Sequence, residues 1–135
     1  MAGTVCCDIC TLSWEALADV TFSEKYNKET DAYWLIPVFG QQPRSNEGKR
    51  VIIEGYFIPV DMDSGFYVLS QFPYSSCFFC GEAGPESVVE LQMDKKLANK
   101  LRMDQRVKIQ GTFQTNDSDF DHCNYMLKDA KPLSN

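Results

Sequence analysis

The sequence has no apolar run long enough to cross a bilayer. Its cleanest one, residues 32–39, is far short of the roughly 20 residues a spanning helix needs. Residues 64–81 go 18 positions without a charge, but four Ser, a Gln and a Pro interrupt them. Basic side chains are outnumbered, 13 against 19 acidic ones, and the net charge is −6. That balance disfavours phosphate backbones and anionic membranes as default partners. The phosphate-cradling G-x-x-x-x-G-K-S/T loop, the G-x-G-x-x-G turn after a strand and the G-x-S-x-G elbow are all missing, which removes the usual motifs of nucleotide and acyl-transfer enzymes. After Met1 the chain lacks the basic start and apolar core of a leader. Two expectations follow: a cytosolic protein, or a mature form from which a leader was removed.

What is present is enough for one ordinary domain. The 135 residues are 44% apolar and 13% aromatic, so a core forms without metal or disulfide, and wholesale disorder is excluded. Residues 1–47 read as an N-terminal helix and extended arm packed on a barrel, and residues 48–135 as the barrel itself. Ser13 as N-cap, Glu15 in the first turn and the Trp14/Leu17 pair predict a short helix. A polar segment over 23–31 follows. Pro37 limits the apolar run at 33–39 to an edge strand or extended arm, and 40–48 reads as a loop.

From residue 48 the pattern is β. Strands are predicted at 50–61, 66–72, 87–93, 106–113 and 123–130, with one helix at 94–102 capped by Asp94. The first and fourth strands share V-x-I-x-G-x-F, as Val51, Ile53, Gly55, Phe57 and Val107, Ile109, Gly111, Phe113. Three strands, a helix and two more strands is the order of an OB-fold, a five-stranded Greek-key barrel. Its sharp coiling suits glycine in strands one and four, and Gly55 is expected at a bulge or bend. An unrelated five-stranded sandwich is the alternative.

Cys77-Phe-Phe-Cys80 is the most distinctive local feature. A C-x-x-C turn sets two thiolates on one side, near enough to chelate a soft ion at ~2.3 Å. The only histidine, His122, lies with Asp119, Asp121 and Cys123. In an OB barrel strands three and five are parallel neighbours, so the loop before each opens at the same rim. The topology therefore predicts a zinc or copper site of Cys77, Cys80 and His122, completed by Asp121, Glu86 or water. A Cys77–Cys80 disulfide or redox pair and inert packing between Phe78 and Phe79 remain alternatives, although Gly81, Gly84 and Pro85 disfavour the helix N-terminus that activates redox thiols. Cys6, Cys7 and Cys10 are expected to fall in a frayed terminus. A Cys/His nucleophilic pair has no Asn or Gln set for an oxyanion hole, so a non-catalytic module is favoured. Tyr56, Phe66, Tyr67 and Phe72 could stack ligands or bases on the outer face, but Glu54, Asp61 and Asp63 oppose phosphates there.

Segments 13–20, 48–59, 75–87 and 119–125 together resemble an uncharacterised family of Bacteroidetes-type bacterial envelope proteins, most specifically through C-F-F-C-G-x-A-G-P-E-S at residues 77–87. Cys6, Cys7 and Cys10 lie outside that pattern, and Cys123 stands where an apolar residue is expected. The resemblance implies a periplasmic or extracytoplasmic location, with the cytoplasm as alternative, and no assigned activity. The expected function is an exported binding module with a transition-metal site. The alternative is a module for a protein partner or small ligand, shaped by a disulfide.

Overall fold

A computed structural model describes residues 9–133. Strands β1 (Cys10–Thr11), β4 (Arg50–Asp61), β5 (Phe66–Ser70), β6 (Val88–Leu91), β7 (Arg106–Thr115) and β8 (Tyr125–Pro132) form one sheet in the order β1-β4-β5-β6-β8-β7. Pairing of β4 with β7 closes its five long strands into a barrel. The mainly β, OB-like architecture follows from the strand pattern. Along β4, Val51, Ile53 and Phe57 point inward while Glu54 and Tyr56 stay half-exposed. Ile109 and Phe113 of β7 and Tyr125 and Leu127 of β8 complete the interior. Each such side chain contributes roughly 1.5–3 kcal/mol on burial.

β6 and β8 run parallel, with Glu90 beside Met126 and Leu91 beside Leu127. This is the neighbour relation on which convergence of the two loops depends. Short helix α3 (Lys95–Ala98), capped by the Asp94 carboxylate accepting from Lys96 N–H at 3.0 Å, packs Ala98 on the core. It is shorter than the expected 94–102.

Gly55 is not a bulge, because its pairing with Val107 is regular. It is a close approach: a Cβ there would lie 2.5 Å from the Ser70 carbonyl oxygen and 3.0 Å from the Trp14 ring. The irregularities fall at Pro59/Asp61 against β5 and at Gln110/Thr112 against β8. Between the latter, Gly111 passes so near β8 that a Cβ would meet Leu127 Cβ at 2.9 Å.

The N-terminal part shares the barrel's core. Ser13 caps helix α1 (Trp14–Leu17) by accepting from Ala16 N–H. Leu12, Ala16 and Leu17 join the central cluster. Trp14 Nε1 donates to the Glu54 carbonyl at 2.7 Å, and the Tyr125 hydroxyl donates to the Leu17 carbonyl at 2.6 Å. The first part of the polar segment at 23–31 belongs to strand β2 (Val20–Asn27), paired antiparallel with β3 (Ala32–Phe39) in a separate hairpin. Pro37 sits in β3, which among the described residues pairs only with β2. Residues 41–45, expected as loop, form helix α2 (Gln41–Ser45).

Candidate functional site

Residue alternation along β5 and β6 sets what faces outward. Tyr67, Leu69, Val89 and Leu91 enter the barrel, whereas Phe66, Val68, Val88 and Glu90 face away from it. Part of that outer face is sealed. The segment between β5 and β6 folds over it in three short 3₁₀ turns (Tyr74–Ser76, Phe78–Cys80 and Pro85–Ser87). Cys77 packs there, fully buried, with Ile58, Val68 and Val88 in a second apolar cluster edged by Phe66, Phe78 and Cys123. The Cys80 thiol is exposed, lies beside Cys77 and donates to the Tyr74 carbonyl at 2.9 Å. Its titration is shifted upward, chiefly by desolvation and then by Cys77. Burial, followed by the charge of Glu90, pushes the Cys123 thiol up to about 12. Neither thiol has the depressed pKa of an activated nucleophile.

The remainder of the outer face stays open. Its centre is Glu90, only 5% exposed. One carboxylate oxygen is 2.8 Å from His122 Nδ1 and the other accepts from Cys123 N–H at 2.9 Å. A buried carboxylate needs such donors, and the pairing makes Nδ1 the protonated nitrogen. His122 Nε2 lies 3.8 Å from Asp119. The hydrogen bond that Nδ1 donates to Glu90, then the Glu90 charge, hold His122 above its ordinary pKa; desolvation opposes them, and Asp119 and Asp121 add to them. The loop carrying His122 is braced by Asn116, whose Nδ2 reaches the Asp119 and Cys123 carbonyls at 2.7 and 3.1 Å, and by Asn124, whose Nδ2 reaches the Asn116 carbonyl at 3.0 Å.

Two clefts meet at this centre. A polar one of about 730 Å³ runs between turn 62–65 and loop 116–124, over Gly65, Glu90, Gln92 and Lys95. An aromatic one of about 490 Å³ is walled by Leu35, Phe78, Phe79 and Phe120. Phe66, Asp121 and His122 line both. Phe79 stands edge-to-face against Phe66 and Phe78, at ring-centroid distances of 5.9 and 5.2 Å. Phe120 is held by Trp34 of the hairpin at 3.9 Å.

The expected site residues are therefore distributed unevenly. The C-x-x-C segment and the histidine loop do reach one cleft, through Phe78 and Phe79 on one side and His122 on the other. Cys77 and Cys80 themselves line neither cleft, and His122 is engaged by Glu90. Asp121 lies in the groove. Glu86 lines neither cleft; its carboxylate folds back over Gly84 and acts on Tyr125. Among the described residues, no three His, Cys, Asp or Glu side chains form a group that could hold a metal ion. Of the four aromatics expected on one face, only Phe66 is in the groove; Phe72 lines neither cleft. Tyr67 has its ring in the barrel core, fully buried, because β5 alternates the other way. Tyr56 pairs with Ser70 at the far end of β5 and lies under the Arg106 guanidinium, 5.2 Å from its ring centroid. Cys6 and Cys7 fall outside the described residues, and Cys10 is exposed in β1 beside Val51.

The sequence reading missed Glu90, Phe79 and Phe120 as groove residues. A glutamate inside the apolar run Val88-Val-Glu-Leu91 was the available signal for the first. None of the described helices is long and apolar enough to cross a membrane. Comparison of the chain with protein-family models, with curated proteins and with solved structures finds no match.

Proposed function

We propose that this protein is a non-catalytic binding module whose ligand occupies the joined groove between turn 62–65 and loop 116–124. The observation that carries the reading is the sharing of Phe66, Asp121 and His122 by a polar and an aromatic cleft. A concave apolar surface with a few fixed polar groups is the general form of a small-ligand site. Glu90 holds the imidazole in one orientation before any ligand arrives, which lowers the ordering cost of binding. The raised thiol titrations of Cys80 and Cys123 count against covalent catalysis. A mixed fragment library screened by amide NMR tests the reading. Fragments are expected to shift residues 64–66 and 119–123, and Phe66→Ala is expected to weaken them. Binding confined to other surfaces contradicts it.

The adjacency of the Cys77 and Cys80 thiols supports a second reading. In it a zinc or copper ion takes Cys77, Cys80 and His122, with Asp121 or water completing the set, within an extracytoplasmic protein of the envelope type that the sequence resembles. His122 then exchanges Glu90 for the ion, and Cys77 leaves its apolar cover. Elemental analysis of protein purified without added metal would show about one ion per chain, reduced in Cys77→Ser and in His122→Ala. Unchanged content in both variants rejects that ligand set. A metal-free protein whose 77–80 peptide is two hydrogens light supports the disulfide instead.

A further inference from the structure

The charged side chains lining the groove cancel. Glu90 and Asp121 are answered by Lys95 and by His122, which Glu90 holds toward its charged form. Beyond the lining, Asp61 ends β4 and Asp63, Asp117 and Asp119 lie in the two bounding loops. A polyanion is repelled by that surround, and an ammonium group meets Lys95 and His122 inside. An uncharged ligand meets neither penalty.

The groove nevertheless has much to offer hydrogen bonds. The Gln92 amide and the Asp121 carboxylate line it, and Lys95 Nζ uses one donor on the Asp63 carbonyl at 2.9 Å and keeps two. Beside these groups Phe79 and Phe120 expose flat apolar ring surface, at 38% and 49% exposure. Hydroxyls at the edges and C–H groups on the faces describe a sugar ring.

Resting on the ligand-groove reading above, we propose that the ligand is a neutral oligosaccharide. Its ring faces lie on Phe66 and Phe79, and its hydroxyls bond Asp121, Gln92 and Lys95.

The full chain is titrated by amide NMR with cellotriose, chitotriose and mannotriose, with a thymidine decamer, and with uncharged aromatic fragments. At least one trisaccharide is expected to shift residues 64–66 and 119–123 saturably. Phe79→Ala should weaken it by roughly five- to tenfold. Gln92→Ala, which removes an amide from the groove wall, should also weaken it while the spectrum stays folded. Groove shifts with the decamer or the fragments, but with no trisaccharide, overturn the saccharide and leave the groove reading standing. No groove shift with any probe overturns both. Saccharide binding unaffected by both variants rejects the assigned contacts.

Discussion

Glu90 and His122 hold each other in place, and the sign of their coupling is testable. His122 has its pKa raised in the folded protein by the Glu90 hydrogen bond and charge. Its contribution to stability is therefore complete below the unfolded value near 6.5 and is lost as pH rises through the folded value. Following the imidazole Cε1 proton by NMR should give a midpoint above about 6.5. Glu90→Gln should bring that midpoint down, and an unchanged midpoint would dissociate the pair. The imidazole is 42% exposed, so solvent screening keeps the effect on unfolding small. His122 was legible as a candidate because it is the only histidine. Glu90 was not, because one charge in a strand reads as solvent-facing until the covering loop is known.

The cysteines divide by the same logic of cover. Cys77→Ser sets a hydroxyl among Ile58, Val68 and Val88 and should cost about 1–3 kcal/mol in denaturant unfolding. Cys80→Ser, on the exposed side of the same turn, should stay within about 0.5 kcal/mol. Equal costs would mean that Cys77 is not the one under cover. Spacing alone displayed the pair but could not assign inside and outside within it.

At the scale of elements, strand β4 depends on Gly55. Gly55→Ala drives a methyl against the Ser70 carbonyl and the Trp14 ring, and should destabilise by about 1–3 kcal/mol, the range of overpacked cores. A neutral effect in thermal unfolding would contradict the close approach between β4 and β5. The shared V-x-I-x-G-x-F pattern displayed these strands because alternation over that many residues has few other readings. The β2–β3 hairpin was half legible. Its second strand carries an apolar run and rests Trp34 on Phe120, whereas the first is held by its pairing with β3, which no local pattern encodes. Trp34→Ala should leave the barrel's unfolding cooperative while broadening amide signals over 117–122. Unbroadened signals would mean the hairpin does not brace that loop.

At the scale of the molecule, barrel closure links all of this. β6 beside β8 brings loops distant along the chain to one rim, and the strand order made that meeting legible in advance. The contents of the meeting point were not legible, since they depend on which face the 74–87 segment covers. It covers the face over Cys77 and leaves open the face over Glu90. Soaking crystals with a diverse fragment library tests this account most directly. It predicts density for bound fragments touching Phe66 and His122. Fragments bound repeatedly elsewhere, with an accessible groove left empty, would contradict it.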